Sequence, residues 1–437
     1  APSYYEDIPF EVKANTVTAV DIWSGSAHLP HNSINDVSRH LKADDDITVY
    51  VVNYAQQNTD ATSLIPEVLL GTEYRLSGYS SHPVGSGGYL FIATQDETQV
   101  TITPINDLIL SSNNIVTAGD SYTVNLDQGD TYHVTSYLEY TIELTGSLVN
   151  SNKPLAVFIN HRCTNVPYDA SFCDQLLEQL PPLNSWGTDY TLVPHYSRYK
   201  DLVRVLADHD QTEISLNGSI TKILDSGEYW EYTLTQAQTL HASKPVLVTQ
   251  FSTGDKFDSA LRQQDANYQL TASVSHPIYS QVLQEDMATY LAEYTVTIDP
   301  ETGSNSVLVV SLGDNHEGLM IDGNPVDSSV FIDKDYCDQT CVARGGSKYS
   351  IAQIALNSGT HLVQMPQPFG LYENVYGLNS FGDPFVSIVA PESLALKHYI
   401  FMTPEALYTR HFINITIEQD AINSVVMDGE LIDPGFF

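Results

Sequence analysis

The sequence predicts an all-β fold of four composite repeats, each about 105 residues long, and three observations predict it. Tyrosine-centred strand phrases recur at near-regular intervals. Alternating apolar stretches flank acidic turns beside each of them. The composition is that of strands, with 27 Tyr, many Thr and Val, and only 5 Met among 437 residues. Aromatic and β-branched side chains fit a pleated, half-buried surface, and 42% apolar residues are enough for a real core.

The first element is the tyrosine phrase. GTEYRL begins at Gly71, GTDYTL at Gly187, AEYTVTI at Ala292 and KHYIFMT at Lys397. Their tyrosines, Tyr74, Tyr190, Tyr294 and Tyr399, are spaced by 116, 104 and 105 residues. The second element is an apolar strand, an acidic turn and another strand, as in FIATQDETQVTIT from Phe91 and VRVLADHDQTEISLNG from Val203. VLVVSLGDNHEGLMIDG from Val307 and INITIEQDAINSVVMDG from Ile413 complete the set. Such alternation about a polar turn predicts β-hairpins. The turn aspartates Asp96, Asp208, Asp314 and Asp420 are expected to share one phase and to hydrogen-bond locally.

A second module alternates with the first. SYTVNLDQGDTYHV from Ser121, KILDSGEYWEYTL from Lys222 and YSIAQIALNSGTHLV from Tyr349 place two strands around an Asp-Gln-Gly, Asp-Ser-Gly or Asn-Ser-Gly turn. SNKPLAVFIN from Ser151 and ASKPVLVTQF from Ala242 follow as buried strands, with Pro where a missing N–H is tolerated. NTVTAVDI from Asn15 and DDDITVYVVNY from Asp44 form a degenerate opening copy. The repeats are expected over 1–112, 113–220, 221–327 and 328–437, each as two meander modules. Eight such modules would close a propeller-like ring; the alternative is four β-sandwiches in a row. The hairpin-to-hairpin order favours the ring. The best short helix candidate is DQLLEQL from Asp174.

Charge narrows the function. Eighteen basic against 54 acidic residues give a formal net charge of −36. Phosphate backbones and anionic membranes would repel such a chain, which excludes nucleic acid as a partner. The carboxylates serve solubility in a salty or crowded extracellular medium, or some of them hold Ca²⁺. No apolar run approaches the ~18 residues of a membrane span. The start, Ala1-Pro2-Ser3, has the look of a processed mature end.

The four cysteines fall in two close pairs, Cys163 with Cys173 and Cys337 with Cys341, which predicts two disulfide-closed loops and an oxidising compartment. Zinc is the rival at His161 and Cys163, but no further ligands complete a set of about four. Asn217 and Asn414 head N-glycosylation sequons.

The run NKPLAVFINHRCTNVP, followed by CDQLLEQLPPLNSWGTDYTLVP, resembles the domain family typified by the N-terminal part of the IgGFc-binding protein, with relatives in bacterial and invertebrate surface proteins. The Cys163/Cys173 loop, the Leu180-Pro181-Pro182 step and Trp186-Gly187-Thr188 carry the resemblance, and phrases such as Leu356 to His361 extend it over nearly the whole chain. It implies an extracellular location, an adhesive or matrix role and no catalysis. Self-cleavage at a Gly-Asp-Pro-His step, found elsewhere in such proteins, is not expected, because Gly382-Asp383-Pro384 precedes Phe385.

No nucleophile elbow, zinc-protease motif, phosphate loop or dinucleotide fingerprint is present in the sequence. His209-Asp210 and His316-Glu317 sit in expected turns, where solvated polar residues are usual. Asp44-Asp45-Asp46 and Asp333 with Asp335 offer oxygen ligands without EF-hand spacing. No catalytic residue, metal site or cofactor is therefore expected, Ca²⁺ being the one open case. Trp230 and Tyr232 should share one strand face with Tyr229 on the other, available for core packing or for stacking on a sugar. The function expected is a secreted structural or adhesive protein that assembles with itself or binds matrix proteins, mucus proteins or glycans. The alternative is a recognition module for a glycan or protein on a cell or mucus surface. The segment Tyr4 to Phe10 is the candidate donor strand for self-assembly.

Overall fold

The computed structural model describes residues 12, 17–21, 32–55, 58–80, 87–111, 113–135, 143–168, 174–194, 200–253, 281–283, 291–298, 304–312, 317–334, 349–357, 359–376, 385–388, 396–401, 410–416, 425–427 and 430–431. Among these the protein is all-β, with short 3-10 turns and no α-helix.

The first sandwich shows how the strands are used. One sheet runs Tyr122–Leu126, Thr98–Thr103, Leu148–Ser151, Glu73–Arg75. The other runs Asp174–Gln179, Leu155–Thr164, Gly87–Ala93, Asp130–Val134, with Ile34–Asp36 at its edge. Their facing sides meet in one core, where Tyr74, Ile102 and Val149 pack with Phe91, Tyr132 and Val157. The alternation along Thr98–Thr103 follows from this, since every second side chain faces inward.

The expected hairpins are replaced by crossings. Gly87–Ala93 and Thr98–Thr103 belong to different sheets, so the acidic turn between them bridges the sandwich. The turn from Leu126 to Asp130 crosses likewise. The two crossings bond to each other: Gln128 N donates to Asp96 Oδ1 (3.1 Å), Glu97 N to Asp127 Oδ1 (3.0 Å), and Gly129 N to Ala93 O (2.9 Å). Alternation reveals that a strand has a buried face, but it leaves open which strand lies opposite.

The second sandwich repeats the path. Ser219–Leu224, Thr212–Leu216, the first half of Gln238–Phe251 and Gly187–Leu192 form one sheet layer. Gln281–Leu283, the second half of Gln238–Phe251, Asp201–Ala207 and Tyr229–Leu234 form the other. One 14-residue strand thus serves both layers. The third follows suit: Gly359–Tyr376 pairs early with Leu291–Ile298 and Met320–Ile321, and late with Ser304–Leu312 and Phe385–Ile388.

The same path appears once more, assembled from distant segments. The 17-residue strand Arg39–Ala55 pairs in its first half with Leu396–Phe401 and Val425–Met427. In its second half it pairs with Arg410–Thr416 and Asn58–Ser63, while Val17–Asp21 flanks Arg410–Thr416.

The recurring tyrosines are the latches of these four assemblies, each at most 2% exposed. The Tyr74 hydroxyl accepts from Gly71 N (2.9 Å) and donates to Leu155 O (2.6 Å). Tyr190 does the same with Gly187 N and Val246 O, and Tyr294 with Leu291 N and Phe369 O. Tyr399 donates to Ile47 O. Each latch ties the tyrosine's own strand to the point where the chain passes from one layer to the other. Burying a phenol requires such partners.

The helix candidate is a strand. Asp174–Gln179 pairs with Leu155–Thr164, placing Leu176 in one core and Leu177 in the next. Its outer edge is covered by side chains: Leu177 N donates to Asp60 Oδ2 (2.8 Å) and Gln179 N to Thr62 Oγ1 (3.0 Å). Those contacts, invisible to local propensity, favour the extended form over the helix. Asn58–Ser63 touches Asp174–Gln179, which touches Gln281–Leu283, which touches Phe385–Ile388, which returns to Asn58–Ser63.

Candidate functional site

The junction between the first and second sandwiches concentrates charge, aromatic rings and a cleft. Strand Asp201–Ala207 is buried along its whole length, one face in its own core and one against the first sandwich. Arg204 occupies the outer face. Counting from the latched carbonyls, Arg204 holds the position that Leu90 holds in the first sandwich and Leu308 in the third.

A guanidinium in place of leucine must be fully satisfied, because an uncompensated buried charge costs several kcal/mol, about 3–5 when one partner is removed. Arg204, 4% exposed, donates through Nε to Glu231 Oε2 (2.7 Å) and through Nη1 to Gly78 O (2.5 Å) and Glu143 Oε2 (2.9 Å). Its Cζ lies 4.1 Å from the Tyr79 ring centre and 4.5 Å from that of Tyr229. Tyr79 in turn meets Phe251 edge-on at 5.4 Å. The aromatic cage and paired carboxylates hold the cation charged. Burial alone would raise the Glu143 pKa, but Arg204 and bonds from Thr145 hold it below the ordinary carboxylate value. Burial pushes His161 down to about 4, against a smaller opposing pull from Glu143.

Two glycines permit this closeness. A Cβ on Gly78 would stand 2.7 Å from Tyr89 Oη, and one on Gly146 would stand 2.1 Å from Gly227 O of the second sandwich. Gly146 also has φ +96, which L side chains rarely adopt.

At the rim, Arg75 ties the sandwiches together. It donates to Asp208 Oδ1 (2.5 Å), Gly146 O (2.8 Å) and Ser226 Oγ (2.6 Å). Beside it opens a cleft of about 730 Å³, lined by Pro104, Ile105, Leu148, Lys222 and Tyr229 among others. Ile105 is 41% exposed there. An apolar wall with a few polar groups is suited to docking a partner.

Among the residues singled out in the sequence, Asp96 matches Asp210 rather than Asp208. Asp210 Oδ1 accepts from Ser226 N as Asp96 Oδ1 accepts from Gln128 N, whereas Asp208 belongs to the Arg75 pair. Lys153 and Lys244, from the Lys-Pro pairs, donate to the carbonyls of Asp96 and Asp210, a role with no local sequence signal. Asp314 and Asp420 lie outside the described residues. Trp230 and Tyr232 stack on each other at 4.4 Å against the second core, while Tyr229 faces the junction. The ring of His209 is largely exposed, 3.2 Å from Asp208.

Cys163 lies on strand Leu155–Thr164; Cys173, Cys337 and Cys341 lie outside the described residues, as do Tyr4 to Phe10, His316, Asp335 and Gly382-Asp383-Pro384. Asn217 forms a tight turn at φ 47, its Oδ1 accepting from Thr239 N. Asn414 lies on the central strand Arg410–Thr416. Asp44 and Asp46 are exposed where Arg39–Ala55 changes layers, and Asp333 lies on strand Ile332–Lys334. Among the described residues no three His, Cys, Asp or Glu side chains converge as a metal site. No described helix is long and apolar enough to cross a membrane.

A family model described as "IgGFc binding protein" matches residues 60–377. The IgGFc-binding protein of Homo sapiens is 29% identical over 329 residues, an alignment covering 73% of this chain and 5% of that protein. The chain therefore spans about 5% of the length of this curated relative.

Proposed function

The chain belongs to the IgGFc-binding protein family, and from that premise we propose that it is a secreted structural and adhesive protein. In this proposal it assembles with copies of itself or with matrix and mucus partners, by binding rather than catalysis and without a cofactor. The observation that carries the proposal is the closed circuit of contacts among Asn58–Ser63, Asp174–Gln179, Gln281–Leu283 and Phe385–Ile388. It supports a propeller-like ring of four duplicated units, each a two-layer sandwich rather than a pair of meanders. The units are then 71–180, 187–283, 291–388, and 396–431 completed by 17–63, in place of linear quarters. Such a ring is rigid and repetitive, and its surface carries a net charge that keeps it soluble at high concentration.

Light scattering and electron microscopy of the purified chain, with and without chelator and across salt, test this proposal. Oligomers or filaments are expected at high concentration. Monodisperse monomers under every condition would sink self-assembly.

The cleft beside Arg75 favours a second reading, a recognition module for a protein or glycan. The human relative is named for binding the Fc part of immunoglobulin G, so Fc is the first partner to try and a glycan array the second. Ile105→Asp with Lys222→Glu should abolish any binding that uses the cleft. Unchanged binding by that variant rejects the cleft as the site.

A further inference from the structure

We propose that the split sandwich is an exchange joint: the strands of 17–63 accept the strands of 396–431 from a second copy of this chain. The proposal deepens the self-assembly reading above and rests on it.

Apart from Ile34–Asp36 at the edge of the first, the first three sandwiches draw their paired strands from continuous stretches of chain. The split one joins segments so distant that the Tyr399 latch spans 352 residues to Ile47. Nothing in the ladder between them depends on both halves coming from one molecule. A second copy offers the same register, Val51 opposite Ile413 and Leu41 opposite Met427, and the same latch. Exchange therefore creates no new contact and loses none, which is why swapping of identical elements is a low-cost route to assembly.

The two halves are also anchored unequally. The N-terminal half is fastened to the first sandwich by hydrogen bonds that do not involve 396–431, while Tyr399, Ile400 and Phe401 share its apolar cluster. Val49 and Val51 pack in one cluster with Leu90, Ile92 and Phe158. Asp60 and Thr62 accept from Leu177 N and Gln179 N, Ile65 N donates to Gln179 Oε1 (2.8 Å), and Gln175 Nε2 donates to Asn53 O (2.8 Å). When the C-terminal strands leave, Arg39–Ala55 stays in place with backbone donors and acceptors freed in both layers. That is a template for strand addition. Because each chain carries one acceptor half and one donor half, exchange yields closed rings of chains or open filaments.

The test uses full-length chains. Leu41→Asp cripples the acceptor half and Tyr399→Asp the donor half. Mixed together, the two variants should form a two-chain species with one restored joint, read by light scattering and by about tenfold slower proteolysis of the C-terminal strands. Failure to form that species overturns strand exchange. If either variant does not fold, two differently tagged wild-type chains passed together through moderate urea give the same reading: co-purification after refolding supports exchange, and its absence overturns it. A third chain, Thr48→Cys with Thr416→Cys, closes the joint within one molecule, since these positions are opposite in the ladder. Oligomers formed by the wild type and lost on oxidation of this variant support exchange. Oligomers that survive the lock overturn exchange while leaving self-assembly standing.

Discussion

Two junctions in this protein use the same topological contact with opposite chemistry. Where the split sandwich meets the first, Leu90 enters an apolar cluster with Val49, Val51 and Phe158. Where the first meets the second, the matching position carries Arg204 in a cage of two carboxylates and three rings. The apolar joint is held by area removed from water, which is insensitive to direction. The ionic joint demands specific geometry and leaves a buried charge stranded if any partner fails. A shared backbone path therefore fixes where units meet, and the side chains decide how sharply the meeting is specified.

The largest test of the contrast is Arg204→Ala, expected to lower unfolding stability by about 3–5 kcal/mol in denaturant titration, because Glu143 and Glu231 lose their counter-charge. Arg204→Leu with Glu143→Leu and Glu231→Leu, which imitates the other junction, should recover most of that loss. Recovery below a quarter of it would mean the two junctions are not interchangeable. Acid is the next probe. His161 is held neutral, with its pKa lowered from 6.5 to about 4, so the unfolded chain binds the extra proton and stability falls as pH drops through that window. The fall is about 3 kcal/mol for this group, and His161→Gln should remove it. Glu143, also depressed, adds to the loss at lower pH, whereas Glu178, raised by burial and by Asp60, works in the opposite sense. Leu90→Ala should cost about 2–3 kcal/mol and, unlike Arg204→Ala, show no added salt dependence. The smallest effect tests what the units share. Tyr74→Phe and Tyr190→Phe should each cost about 1–2 kcal/mol by orphaning a buried carbonyl. Unequal losses at the two would show that the latch is not a common part.

Much of the scaffold was legible in the sequence, for a physical reason. Strands with one buried face must alternate, and a tyrosine buried up to its hydroxyl must keep its partners, so Tyr74, Tyr190, Tyr294 and Tyr399 announced themselves by spacing. Pairing was less legible. The phrase from Phe91 has the pattern of a hairpin, yet its strands lie in opposite layers, since a short polar turn serves either geometry. The Asp174 segment looked helical because Leu-Leu suits either state, and the caps from Asp60 and Thr62 come from far along the chain. Arg204 stands within an apolar strand phrase. Its single signal is a cation standing where the first and third phrases carry Leu90 and Leu308, the fourth carrying Asn414.

The split unit also sets how tension would travel. A pull applied outside residues 17 and 431 enters and leaves through one sandwich, because both of its halves lie at opposite extremes of the described strands. The three contiguous sandwiches carry no load until that one yields. Under tension it would act as a fuse, opening first, lengthening the chain and sparing the remainder. A pulling trace in which another unit opens before it would contradict this.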